Sequence, residues 1–137
     1  MHCLRCDDAY LEGTYLGATA VDRCPACLGH WFARGELAAF LKSPTVSYFA
    51  DQYATLKIPA VRVSGVPDCP ACGVSLKRAR PAQLAQAAVD VCPRCGGTWL
   101  DGVEIQRVLV TQVKGKGLVR TALEIIDFVL GLPWKRP

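Results

Sequence analysis

The polar and apolar positions of this chain fall into short segments broken by glycine and proline, with helical periodicity after residue 36. Residues 9–23, AYLEGTYLGATAVDR, predict two short strands around Gly13 and Gly17, a hairpin closed by turn residues. A second stretch of the same kind, VSLKRARPAQLAQAAVDV at residues 74–91, has a longer excursion around Pro81. Asp101 followed three residues later by Glu104 is a helix-start signal, and Ile105, Val108, Leu109 and Gln112 then share one helical face. A shorter helix is expected from Glu36 through Leu41. Between these regions, Ser43-Pro44 is placed to cap a connecting helix with Val46, Phe49, Ala50 and Tyr53 on one side. Ile58-Pro59 is expected to end that helix, and residues 61–63 read as a short strand. After the KGKG break at residues 114–117, Leu118, Val119, Ala122, Leu123, Ile125, Ile126, Val129 and Leu130 form a wide apolar face beside a polar stripe of Arg120, Glu124 and Asp127. Those charges interrupt the apolar run, and it is too short to span a bilayer.

The pattern is duplicated. CPACLGHWFARGE at residues 24–36 and CPRCGGTWLDGVE at 92–104 superpose at an offset of 68, which aligns Cys24, Pro25, Cys27, Gly29, Trp31 and Glu36 with Cys92, Pro93, Cys95, Gly97, Trp99 and Glu104. Val21 and Asp22 continue the match onto Val89 and Asp90. Two copies of one small unit within 137 residues make one ordinary domain or two small ones. Units of about 40 residues seldom bury enough apolar surface to fold without a staple.

The cysteines supply one. All eight occur as C-x2-C pairs: Cys3 and Cys6, Cys24 and Cys27, Cys69 and Cys72, Cys92 and Cys95. The N-terminus, MHCLRCDDAY, lacks the basic and apolar regions of an export signal, so a reducing, cytoplasmic setting is expected and four disulfides are disfavoured. A thioredoxin-like redox site needs one C-x2-C at a helix start in a βαβ unit, and four pairs in two copies is the wrong count. Tetrahedral metal sites fit. Seventeen residues separate the pairs in the first copy and nineteen in the second, within the spacing of four-cysteine zinc sites. Because each copy carries two complete pairs, Cys3, Cys6, Cys24 and Cys27 are assigned to one ion and Cys69, Cys72, Cys92 and Cys95 to another, rather than to a cross-braced arrangement. Zinc suits four thiolates, and iron in a rubredoxin-like site is the chemical alternative. Four thiolates leave no open coordination position, so both sites are expected to be structural.

The remaining repeated residues read as scaffold. Pro25 and Pro93 set tight turns; Gly29 and Gly97 are expected to supply backbone freedom; Gly73, Gly96 and Asp7 occupy positions after a second cysteine where a positive φ is expected, with Leu28 the exception. Trp31 and Trp99 are expected in the core, Glu36 and Glu104 as first-turn caps, and His2 and His30 as surface or packing residues outside the ligand sets. The phrase V-D-x-C-P-x-C-x-G-x-W followed by G-E-L or its near equivalent resembles the bacterial transcription-factor-IIB-type zinc-finger family, over residues 2–42 and 68 to about 110. That resemblance implies zinc on all eight cysteines and a zinc-ribbon-like fold, and the family's members are often described as nucleic-acid-binding. Ala33 stands where the usual W-L-D-x-G-E-L has aspartate, and Val103 where it has glycine.

The formal charge of +4 counts cysteines as neutral. Each Zn2+ with four thiolates carries about −2, so the metallated chain is near zero and a general nucleic-acid signal largely disappears. What remains basic is local: Lys77, Arg78 and Arg80, and a tail in which Arg107, Lys114, Lys116, Arg120, Lys135 and Arg136 face only Glu124 and Asp127. The expected protein is a small metal-stabilised α+β chain. It comprises a zinc-ribbon-like module at 1–42, a structured helical linker at 43–67, a second module with its helix at 68–114, and a basic amphipathic C-terminal helix at 115–137. Two Zn2+ per chain are expected. The expected role is a non-enzymatic adapter binding a protein partner or itself through Leu118, Leu123, Ile126 and Leu130. Nucleic-acid binding through the basic tail is the alternative; thiol redox or chaperone-like chemistry and peripheral membrane contact through Trp134, Lys135 and Arg136 are more remote.

Overall fold

The computed structural model describes residues 1–59, 61, 65–84 and 86–114. The expected C-terminal helix, all but Val61 of the expected strand at 61–63, and the side chain of Gln112 lie outside the described residues.

In the first copy, β1 (Glu12–Leu16) and β2 (Thr19–Arg23) pair antiparallel, with Leu16 opposite Thr19. The two-residue loop between them begins at Gly17, whose φ of 64° suits a tight hairpin. Chain reversal at Cys24–Gly29 returns β3 (His30–Phe32) alongside β2. The second copy repeats this with β4 (Lys77–Ala79), β5 (Val89–Val91) and β6 (Thr98–Leu100). Its longer excursion contains a 3-10 turn, Ala82–Leu84, that buries Leu84 completely.

The two hairpins are fused. β3 pairs with β6, giving one antiparallel six-stranded sheet in the order β1-β2-β3-β6-β5-β4. His30 faces Leu100, Trp31 faces Trp99 and Phe32 faces Thr98, so the offset of 68 exchanges the two sides of the junction about an approximate twofold axis through the tryptophan pair.

Period-2 alternation sorts the short strands into two cores. Phe32, Leu100, Val89 and Val91 join the helices α1 (Glu36–Leu41), α2 (Val46–Ala54) and α3 (Gly102–Lys114) in one cluster. Trp31, Trp99 and Leu76 join the cysteines in the other. α2 packs on α3 and α1 on β2. Ile105, Val108 and Leu109 are fully buried, as their helical spacing predicts.

Ala50 and Tyr53 of α2 are also buried, with Val46 and Phe49 packed against the same core. α2 stops at Ala54, before Ile58-Pro59, and the Gln106 side-chain amide donates to the carbonyls of Tyr53 in its last turn (2.6 Å) and of Leu56 just beyond it (3.1 Å). Thr45 rather than Ser43 is its N-cap; the Ser43 hydroxyl instead accepts from the Thr45 amide at 3.1 Å. Among the described residues, no helix is long and apolar enough to cross a membrane.

Candidate metal centres

Each copy gathers its own four cysteines. The sulfurs of Cys3, Cys6, Cys24 and Cys27 all lie within 4.8 Å of one another, as do those of Cys69, Cys72, Cys92 and Cys95. Individual separations are 3.7 Å for Cys3–Cys27, 4.0 Å for Cys6–Cys24 and 3.7 Å for Cys69–Cys95. A tetrahedron with Zn–S bonds of about 2.3 Å has edges of about 3.8 Å, so the pre-set sulfur cages match a four-thiolate zinc ion. Two Zn2+ per chain fit, one in each cage.

Backbone geometry explains why C-x2-C builds such a cage. In three of the four turns, the amide of the first cysteine donates to the carbonyl five residues on: Cys24 to Gly29, Cys69 to Val74 and Cys92 to Gly97. The residue after the second cysteine donates back to the first cysteine's carbonyl from a left-handed conformation, with φ of 63° at Leu28, 75° at Gly73 and 78° at Gly96. Leu28 therefore adopts the same turn as the glycines, at a steric cost of about 1–2 kcal/mol. The Cys3 turn differs. Its amide reaches Ala9, one residue farther, and this wider loop needs no positive φ at Asp7, contrary to the expectation from sequence.

The turns also aim amides at sulfur. Cys27, Cys6, Cys72 and Cys95 each donate N–H to the Sγ of the preceding cysteine at 3.3–3.5 Å. Burial disfavours ionisation of Cys24, but the amides of Cys27 and Ala26 together with hydrogen bonds from the Cys3 and Cys27 thiols outweigh it and leave the thiol below its ordinary value. Cys92 follows the same balance, with the amides of Cys95 and Arg94 and the thiols of Cys95 and Cys69 together outweighing burial. Burial instead pushes Cys6 up to about 11 and Cys95 up to about 12, and raises Cys27 as well. Each protein cage thus favours the thiolate of one cysteine, and a dication supplies the charge needed to hold all four ionised.

Gly29 and Gly97 are required for a reason invisible along the chain. Neither has a positive φ; instead, a Cβ on Gly29 would fall inside the Trp99 indole, and a Cβ on Gly97 inside the Trp31 indole. Each tryptophan covers the other copy's metal turn. Trp99 is fully buried and Trp31 nearly so, which makes both core residues.

His30 is a buried packing residue. Its Nδ1 donates to the Leu28 carbonyl at 2.7 Å and its Nε2 accepts from the Tyr53 hydroxyl at 2.9 Å. Burial lowers it to about 4, against the Leu28 hydrogen bond that favours the charged form, so it is neutral at pH 7. His2 is exposed and stacks beside Tyr10.

The expected caps divide. Glu36 accepts from the Ala33 amide at 2.7 Å, closing the start of α1. Glu104 instead accepts from the Ala88 amide at 2.5 Å, tying α3 to the residue that leads into β5. The Asp101 side chain does not cap α3. It accepts from the Arg5 guanidinium at 3.0 and 3.3 Å and from the Trp99 indole N–H at 2.9 Å.

Arg5 was not singled out by sequence reasoning. Its side chain is only 4% exposed, and besides Asp101 it lies 3.7 Å from Asp90 and donates to the Gly65 carbonyl. Arg78 completes the network on Asp90 at 2.8 and 3.0 Å, so this member of the KRAR run is engaged internally. The signal was paired: Arg5 and Asp101 correspond to Ala71 and Ala33 in the other copy, a joint replacement of two charges by two alanines.

No curated protein and no solved structure matches the chain. Residues 2–43 and 68–110, together more than half of its length, match the transcription factor zinc-finger family. With two complete four-cysteine cages at those two segments, the chain belongs to the transcription factor zinc-finger family as a tandem pair of its ribbons.

Proposed function

We propose that the protein is a non-enzymatic adapter in which two structural zinc ions hold a scaffold that presents the apolar face of residues 118–130 to a protein partner, a second copy of itself included. The observation that carries this reading is internal use of the polar chemistry around both metals: His30, Asp90, Asp101, Glu104, Arg5 and Arg78 all serve packing or strand and helix contacts. Each cage also saturates a tetrahedral zinc with thiolates, which suits a structural rather than a Lewis-acid role.

The two copies differ in how much apolar surface follows each ribbon. α2 meets the core with Val46, Phe49, Ala50 and Tyr53, whereas residues 118–130 carry nine apolar residues, Phe128 included. A wider apolar face needs more cover than a helix in the place of α2 requires. The contacts assigned to the partner are Leu118, Leu123, Ile126 and Leu130.

The family's name favours nucleic acid as a second reading. Engagement of Arg5 and Arg78 with aspartates leaves that reading to Lys77, Arg80 and the tail. Sedimentation and pull-down on wild type and Ile126→Asp, each with two zinc ions, test the proposal. Self-association or partner capture that falls at least tenfold in the variant supports it. A wild-type monomer that captures nothing, or a truncated chain lacking residues 114–137 that is still retained tightly on DNA or RNA at physiological salt, overturns it.

A further inference from the structure

The approximate twofold axis relates two places beside the metal turns that differ in one respect. On the first side, the chain leaving α2 crosses the Cys27 turn. The Ile58 Cγ2 atom lies 2.6 Å from where a Gly102 Cβ would stand, a point equally close to the Cys27 carbonyl. Val61 packs farther along, against the metal-centre cluster. The offset of 68 carries Cys27 to Cys95, and its inverse carries Trp99 to Trp31, Asp101 to Ala33 and Gly102 to Arg34. At that second place the described residues leave an open groove of about 540 Å3, lined by Trp31, Ala33, Ala71, Cys95 and Gly97 together with Arg34 and Arg94.

The groove owes its size to the paired alanines. Where Arg5 and Asp101 fill the first side with a salt bridge, Ala71 and Ala33 leave space on the second. Its floor is indole and small apolar groups, with a half-buried cysteine sulfur, and two arginines contribute to its walls.

The sequence holds a matching segment. Residues 56–60 read LKIPA and residues 130–134 read LGLPW, each after a ribbon, a helix, a break and a second apolar helical pattern. Ala60 is replaced by Trp134 in the copy whose groove is larger. Indole over apolar surface beside guanidinium groups is a favourable pairing. We propose that Leu132, Pro133 and Trp134 of the same chain lie in the groove beside Cys95, as Ile58 lies beside Cys27. The tail then closes the second metal centre as the linker closes the first, and anchors residues 118–129 from their far end. The inference rests on the pseudosymmetric groove and holds whether or not those residues bind a partner.

A photo-crosslinking residue in place of exposed Ala71, in the full zinc-loaded chain, tests it. Cross-links from position 71 to peptides within residues 130–137 of the same chain are expected, with a yield that drops at least tenfold in Leu132→Asp or Trp134→Ala. Mixing isotopically light and heavy chains separates cross-links within a chain from those between chains. Absence of any cross-link to that segment in a protein carrying two zinc ions overturns the proposal. Exclusively inter-chain cross-links also overturn it, because the occupant would then be a second copy.

Discussion

The two metal centres share ligands, turn geometry and a reciprocal tryptophan, yet their outer sides have diverged. Around Cys27 the side is sealed by Ile58, Gly102 and the Arg5–Asp101 ion pair; around Cys95 alanines replace the pair and the described residues leave a groove. The comparison teaches which parts of the duplicated unit were constrained. Four sulfurs and the glycine beneath the opposite indole are the same in both copies, because one is a coordination requirement and the other a steric one. What covers the centre is free to vary, provided the apolar surface is covered somehow.

Metal removal should have the largest effect and tests whether the two centres are one folding unit. Structural zinc contributes roughly 10–16 kcal/mol of apparent free energy, against roughly 5–15 kcal/mol for the net stability of a whole domain. Chelation should therefore unfold the chain. With β3 paired to β6 and each indole over the other copy's turn, far-ultraviolet circular dichroism and tryptophan fluorescence should report a single coincident transition. Two well-separated transitions would mean that the ribbons fold independently.

Arg5→Ala breaks the asymmetry from the sealed side. It leaves Asp101 and Asp90 without a buried cation they now share, and removing one partner of a buried pair costs about 3–5 kcal/mol. Urea unfolding of the zinc-loaded protein should register a loss of this order, with zinc content unchanged. The double variant Arg5→Ala/Asp101→Ala imitates the Ala71/Ala33 side and should be less destabilised than the sum of its single variants. Strict additivity would show that the pair is not coupled.

Gly97→Ala probes what the copies have in common. Overpacking against Trp31 should destabilise by about 1–3 kcal/mol, and Trp31→Leu should partly relieve it in a double-mutant cycle. Gly73→Ala places its methyl in open space, so only the left-handed backbone opposes it, at about 1–2 kcal/mol. Trp31→Leu should leave that second cost untouched. Equal relief at both glycines would refute the reciprocal packing.

Several elements were legible in the residues alone. Local spacing carried the α3 face of Ile105, Val108 and Leu109, the α1 span and the first hairpin, since each depends on neighbours within a few positions. The partition of the cysteines followed from the duplication. Local reasoning misplaced the roles of Asp101, Glu104, Gly29 and Asp7. Asp101 has a cap-like position but finds stronger partners in Arg5 and the Trp99 indole, which lie outside any helix-start pattern. Gly29 reads as a turn glycine, while its constraint is an indole from the other copy. Asp7 was assigned a shape by analogy with three turns, but its loop is one residue longer between hydrogen-bonded ends.

By itself the sequence determined that there are two four-cysteine cages, which residues build each one, and where the hairpins and first helices lie. These follow from turns closed within six residues and from periodicities a few residues long. Only the tertiary structure decided that the ribbons share one sheet, that each tryptophan sits over the partner turn, and that Arg5 reaches Asp101 across 96 positions. Strands of three residues carry too little alternation to specify which edge joins which. That choice is made by shape and charge between distant segments, where a glycine's missing side chain or a buried aspartate acquires meaning only once its neighbour is in place.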